Sequence, residues 1–203
     1  MADVAARAFA DNDSYSFLWH HLPADQREAA NAWLLARRFW ISMYTGGAVF
    51  CALDATEKIC GTIAFSAEAL QPSFFAKAQA GYFLLPLFYG WQTLTNLDQL
   101  VAAIAAHHKS AGVCVPTDLP VISLQMVTVD PRCQKMGIGP SLLQRALTEI
   151  KARHGRVTVL LDTQKEFAKR FYERAGFQLA SEQILTPAPG HTFKNWILFK
   201  QLD

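Results

Sequence analysis

Apolar residues recur at helical spacing early in the chain, and the stretch Asp25 to Tyr44 is predicted as a long amphipathic helix. Ala29, Ala30, Trp33, Leu34, Arg37, Phe39 and Trp40 give it a mostly apolar stripe, and it stops before Gly46 and Gly47. Two short β-type runs follow, Ala48 to Leu53 and Lys58 to Phe65, and the polar turn Asp54 to Glu57 between them suggests a hairpin. From Gln71 to His108 the period becomes helical again. This aromatic stretch is punctuated by Pro72, Pro86 and Gly90, so two or three packed helices are expected as an insert. The prolines in Val113 to Pro120 predict an extended connection.

Beyond it the pattern alternates between buried strand and helix. Val121 to Val129 is β-branched and apolar, as a central strand is, and it ends at Asp130 and Pro131. A glycine-containing loop leads into a helix from Pro140 to Arg153, with Leu142, Leu143, Ala146, Leu147 and Ile150 on its inner face. Lys151, Arg153 and His154 crowd its last turn, and Gly155 is placed to cap it. Val157 to Leu161 is a second buried strand. Glu166 to Ala175 is a helix with Phe167, Phe171 and Ala175 inward and Gly176 as its cap. Phe177 to Leu185 and Phe193 to Lys200 close the chain as an antiparallel pair around the turn Thr186 to His191.

Composition narrows the class. With 203 residues, 51% of them apolar and 18% charged, the chain is expected to fold as one domain around a substantial core, and disorder is excluded. Within residues 1–203 we distinguish N-terminal helices and hairpin (1–70), the helical insert (71–115) and a C-terminal core (116–203). The net charge of +2 is too small for a nucleic-acid binder held by phosphate contacts. It is unevenly spread: residues 1–115 hold 7 basic and 9 acidic side chains, and residues 116–203 hold 12 and 8, so an anionic ligand is expected in the C-terminal half. Charged residues interrupt the first twenty positions, which argues against a secretory signal. The uncharged run Ala78 to Leu97 has too many polar residues and breakers to span a membrane. Cys51, Cys60, Cys114 and Cys133 form no zinc or redox pattern, and a cytoplasmic setting without metal is expected.

The loop between the central strand and the next helix carries the chemistry. First-turn N–H groups of a helix lack helical partners and point outward with the positive end of the dipole, so a buried strand running through glycines into a helix makes an anion site. Gly137 and Gly139 let backbone approach a phosphate, and Pro140 is tolerated in the first turn. Arg132 and Lys135 add mobile charge, and Ser141 adds a hydroxyl. A Walker loop is absent, and Leu142 occupies the third glycine position of a dinucleotide fingerprint.

Gln134-x-x-Gly137-x-Gly139, preceded by Val127-Thr128-Val129-Asp130-Pro131 and followed by Pro140-Ser141-Leu142-Leu143, resembles the acetyl-CoA signature of GCN5-related N-acetyltransferases (GNAT). Downstream, Phe171-Tyr172-Glu173-Arg174-Ala175-Gly176-Phe177 is similar to that family's second hallmark. The rest of the chain resembles more loosely the branch that includes puromycin acetyltransferase. The resemblance implies an α/β three-layer fold: a mixed, mostly antiparallel sheet with splayed central strands, flanked by helices and carrying the helical insert before the central strand.

It also implies roles. The turn of Lys135, Met136, Gly137, Ile138, Gly139, Pro140 and Ser141 would hold the pyrophosphate of acetyl-CoA through its backbone N–H groups, Pro140 contributing none, and Val127, Thr128 and Val129 would pair with its pantetheine arm like an extra strand. The Val127 N–H would meet the developing oxyanion, and Tyr172 would protonate the departing sulfur, unless it is simply a core tyrosine. At Ala168, relatives often carry an asparagine that contacts the cofactor, and Gln164 or Lys165 would have to compensate. Where some members have a glutamate base, this chain has Ser123, with Gln125 nearby. The base therefore stays open among Asp162, Asp118, His107, His108 and water; Asp162 could equally be a helix cap and the His pair a solvated helix end.

The acceptor is expected to be a small-molecule amine bound beside the aromatic insert, where Phe74, Phe75, Tyr82, Phe83, Phe88, Tyr89 and Trp91 lie with only Glu68 and Asp98 as flanking acids; these rings could instead be core. The protein is expected to be a monomer or homodimer that binds neither nucleic acid nor membrane. A peptide N-acetyltransferase and a non-catalytic acyl-CoA-binding regulator are the alternatives.

Overall fold

A computed structural model of the chain describes residues 1–66, 73–112, 115 and 118–203. Glu68, Cys114 and parts of the expected insert boundary and connection lie outside the described residues. In chain order the elements are α1 (Ala2–Ala8), α2 (Asp13–Trp19), α3 (Ala24–Tyr44), β1 (Ala48–Leu53), β2 (Ile59–Ser66), α4 (Phe74–Gln79), a 3-10 turn (Tyr82–Leu84), α5 (Leu85–Tyr89) and α6 (Trp91–Ala111). Then come β3 (Val121–Val129), a second 3-10 turn (Pro131–Cys133), α7 (Ile138–His154), β4 (Val157–Thr163), α8 (Glu166–Arg174), β5 (Gln178–Ala188) and β6 (His191–Leu202).

The six strands form one sheet in the order β1-β2-β3-β4-β6-β5, antiparallel except for the β3–β4 pair. Two irregularities at its centre shape what the sheet can bind. Thr62 lies opposite Thr128 and Ala64 opposite Gln125, so Ile63 faces both Met126 and Val127. Met126 absorbs the extra residue with a φ of 52°, a β-bulge that only a side chain held from several directions tolerates. Second, β3 and β4 pair only at Val121–Thr158, Ile122–Val159 and Ser123–Leu160. Past that point they part.

Alternation along the strands sorts side chains between the two faces. On one face Leu142, Leu143, Ala146 and Ile150 of α7 pack against Ile122, Leu124, Val157, Val159 and Leu161. On the other, Ala5, Ala6, Leu35 and Phe39 of α1 and α3 meet Ala64 and Met126. Leu18, Trp19, Ala30, Leu34 and Leu85 tie the insert to this helical layer, and α6 docks on the last hairpin through Leu100, Leu185 and Phe193. Gly155 caps α7 with a φ of 68°, and its N–H bonds to the Lys151 carbonyl, as its position suggested.

Three burial expectations change. The inner stripe of α3 runs through Ala30, Asn31, Leu34, Leu35, Phe39, Ile41 and Ser42, which leaves Ala29 and Trp40 outside. Phe167 is 72% exposed, whereas Phe171 and Ala175 pack inward. It sits in the first turn of α8, and helical side chains lean toward the N-terminus, so it reaches past the end of the sheet. The insert's aromatics split: Tyr82 and Tyr89 pack on the helical layer, while Phe74, Phe75, Phe83 and Phe88, on short helical turns, and Trp91, at the first residue of α6, are exposed.

Candidate active site

The loop after β3 continues the strand that has parted from β4. The Asp130 N–H bonds across to the Cys60 carbonyl on β2. By alternation the main-chain groups of Val129 then point the other way, toward the side of β4, while the bulge at Met126 and Val127 breaks the alternation before it. Thr128 points back to β2, where its hydroxyl lies 2.7 Å from that of Thr62. At the mouth, Lys135 and Gly137 take φ values of 65° and 77°, so the backbone coils before entering α7. The N–H groups of Lys135, Met136, Gly137, Ile138 and Gly139 have no hydrogen-bond partner among the described residues. Left-handed residues next to a helix start gather N–H groups into an anion-binding concavity.

The remaining loop residues do other work. Pro140 has no N–H, and the Ser141 N–H and hydroxyl both donate to the Gly137 carbonyl at 3.2 and 3.0 Å, which removes them from the expected set of free donors. The Gln134 amide donates to the Val129 carbonyl at 3.5 Å. Met136 is exposed, and Ile138 packs on the core. A cavity of about 440 Å³ runs on from Pro140 and Phe171 between α7, α8 and β6, rimmed by Lys151, Arg174 and Lys200.

Arg132 is not the mobile charge its position suggested. Its Nε and Nη2 donate to the two oxygens of Asp130 at 2.9 and 2.8 Å, and its N–H donates to Oδ1 at 3.0 Å. From the other end of the chain, Arg7 Nη2 reaches Asp130 Oδ2 at 2.7 Å. Asp130 is itself 1% exposed, and the Arg132 contact foremost, aided by Arg7, holds its carboxyl far below the usual carboxylate range despite burial. This hub fixes the start of the loop.

Tyr172 lies buried on α8 against Phe171 and Phe177, with ring centroids 5.0 and 5.7 Å away. Burial, and the negative charge of Asp162, push its phenol well above the ordinary tyrosine value. It therefore keeps its proton at any physiological pH. Ala168, one turn earlier, packs on the same core, and its small side chain leaves the expected cofactor contact unfilled. Neither proposed substitute is free: Gln164 contacts Asp162, Asn195 and Asn12, and Lys165 pairs with Asp13 at 3.3 Å.

Of the acids and imidazoles considered as base, the structure brings two together. Asp162 lies within β4 and caps no helix, since α8 starts after Lys165. His108 Nε2 is 3.4 Å from Asp162 Oδ1. Burial opposes charge on Asp162, yet the bond to His108, its charge, Arg38 and Gln164 together hold the carboxyl below its ordinary value. The His pair is no solvated helix end. His107 is wholly buried between Ser181 and Asn195, each 3.0 Å from a ring nitrogen, and burial lowers its pKa. Asp118 is exposed before β3 begins, at the paired end of the strands and away from the opening.

One group escaped the sequence reading. Arg38 donates to the Tyr15 hydroxyl at 3.3 Å and to Gln125 Oε1 at 3.4 Å, and Gln125 Nε2 donates to Ser123 Oγ at 3.3 Å. The signal was present: Arg38 is four residues after Leu34 and four before Ser42, a charge on the buried stripe of an amphipathic helix.

The family model for an acetyltransferase (GNAT) domain matches residues 92–186. No curated protein matches the chain in sequence. Among solved structures, a histone acetyltransferase and related acetyltransferase from Corynebacterium glutamicum is 18% identical, with a TM-score of 0.62 over 98% of this chain and 87% of that one. An agmatine N-acetyltransferase mutant without ligand is 16% identical, with a TM-score of 0.58 over 96% of this chain and 91% of the other. A phosphinothricin acetyltransferase from Sinorhizobium meliloti, solved with AcCoA, is 14% identical with a TM-score of 0.53, covering 84% of this chain and 69% of its own.

Proposed function

From the premise that the chain carries an acetyltransferase domain of the GNAT family, we propose that it transfers the acetyl group of acetyl-CoA directly to a primary amine of a small molecule. The observation that carries this reading is the parting of β3 from β4 on the strand that leads into a loop whose five N–H groups have no partner among the described residues. An extended amide-bearing arm fits the first, and a pyrophosphate fits the second.

Bound acetyl-CoA supplies an activated thioester carbonyl. Lys135 to Gly139 would hold the pyrophosphate, and Val127 and Val129 would bond the arm. An N–H at the bulge, most simply that of Val127, would meet charge developing on the carbonyl oxygen. The amine nitrogen bonds to the acetyl carbon as the carbon–sulfur bond breaks. In this reading the Asp162–His108 pair accepts the amine proton and Tyr172 gives one to sulfur, supported by the contact between His108 and Asp162 and by the phenol's retained proton. The small-amine acceptors named for the agmatine and phosphinothricin relatives support the substrate class.

A thermal-shift titration tests the first step. Acetyl-CoA at 100 times its Kd should stabilise the protein by about 2.7 kcal/mol, roughly a 5–10 °C rise in Tm for a chain of this size. A folded sample that does not shift would count against the assignment.

Gly139 sharpens that test. A Cβ there would meet Phe171 and Val129 at 3.7 Å, ordinary contact distance, so the fold itself does not require glycine. Gly139→Ala should therefore melt with the wild type, yet bind acetyl-CoA about tenfold or more weakly, because the methyl occupies the ground a phosphate approaches. Unchanged affinity would move the phosphate elsewhere.

A further inference from the structure

On the acceptor side of the opening, five elements bring polar groups to one place. Arg38 comes from α3, Tyr15 from α2, Gln125 and Ser123 from β3, Asp162 from β4 and His108 from α6. The strand register makes the neighbourhood explicit. Ser123 and Leu160 are partners, so Gln125 and Asp162, each two residues on, lie on the same face across the start of the opening. Arg38 bonds to Gln125, and His108 to Asp162, so a cation and a carboxylate–imidazole pair flank one gap.

Arg38 is underused. Its guanidinium has five N–H donors, and the described residues offer it two neutral oxygens at 3.3 and 3.4 Å. No described carboxylate lies within ion-pair distance of it. Asp162 acts on it only through its field, at more than ion-pair distance, so a cation on the inner stripe of α3 has room for a directly bonded anion, and a planar guanidinium suits a carboxylate or similar oxyanion best. Tyr15 and Tyr82 stand beside it and supply an aromatic wall; burial pushes the Tyr82 phenol up to about 12, so it stays neutral. Asp162 and His108, across the gap, face where an amine must lose its proton.

We propose that the acceptor is an amino acid or a close analogue, whose amine faces Asp162 and His108 while its carboxylate is held by Arg38. This rests on the acetyltransferase reading above and adds to it the second functional group that the acceptor must carry. A polyamine or an arylalkylamine, each lacking an acidic group, would bring nothing to bond Arg38 directly.

The test uses matched acceptor pairs on the intact protein: L-phenylalanine against phenethylamine, and L-leucine against 3-methylbutylamine. Released thiol is measured with acetyl-CoA, and thermal shift with CoA. The amino acids are expected to give at least about 100-fold higher kcat/KM and the larger shift, since a site built to bond a charged group rejects analogues lacking it. Arg38→Gln should collapse that preference to within about tenfold while the shift produced by acetyl-CoA alone persists, which also shows that the variant is folded. A response to the decarboxylated amines equal to or above that of the amino acids would overturn the proposal. So would silence from both amino acids by both readouts while acetyl-CoA still stabilises the wild type. Absence of any acetyl-CoA shift would instead overturn the acetyltransferase reading on which it rests.

Discussion

Tyr172→Phe is expected to lower acetyl transfer by a factor of about 10² to 10⁴, the range lost when a positioned general acid is removed. The phenol's surroundings make this a clean substitution. Its ring packs between Phe171 and Phe177, and phenylalanine keeps those contacts. No described residue hydrogen-bonds the hydroxyl, so the change strands no partner, and Tm should stay within a few degrees of the wild type. Affinity for acetyl-CoA, read by thermal shift, should survive. Thiol release by the variant at the wild-type rate would remove Tyr172 from the chemistry. It would then be a core aromatic whose raised pKa merely follows from burial.

The second large effect is on stability. Asp130→Ala takes the only described acceptor from the Arg7 Nη2 group and the anchor from Arg132. Breaking an ion pair with one partner at 1% exposure costs about 3 kcal/mol or more; we take the lower figure because Arg7 is 32% exposed and recovers some hydration. That corresponds to a drop in Tm of roughly 6–12 °C. The pH dependence has a definite sign. Asp130 is a stronger acid in the folded protein than in the unfolded chain, so its stabilisation is complete above the unfolded value near ~4. It drains as pH falls below that value toward the depressed native pKa. Urea denaturation from pH 7 to pH 3 should show the wild type and the variant converging at the acid end. Equal stabilities at pH 7, or a gap that does not narrow with acid, would mean that Asp130 is not the hub its contacts describe.

What was legible in the sequence follows a physical division. Local signals read true: the glycine at 155 that ends α7, the turn that breaks β1 from β2, and the strand–loop–helix order around Gly137 all depend on nearby residues. Periodicity found the long helices α3 and α7, while the resemblance implied that helices flank the sheet. It failed where tertiary contacts choose the partner. Arg132 stands beside the glycine loop in sequence, yet a carboxylate two residues away holds it, and the third member of that cluster, Arg7, is 123 residues distant. His107 and His108 are adjacent at one helix end, but one is enclosed by β5 and β6 and the other turns to Asp162. Nothing in their spacing separates the two. Arg38 was visible only as a violation of its helix's own pattern, and such violations mark the places where a buried polar group is kept for something other than packing.

The opening between β3 and β4 has one more consequence, for colloidal behaviour. Unpaired strand edges normally occur only at the rim of a sheet, where they invite another chain to add a strand and so seed aggregation. Here two such edges lie in the interior, between the third and fourth strands of six. α7 and α8 cover one face and α1 and α3 the other, so a neighbouring polypeptide cannot slide alongside. Only a thin, unbranched molecule entering end-on can satisfy those groups. The sheet thus carries open pairing capacity at its centre while remaining closed to its own kind.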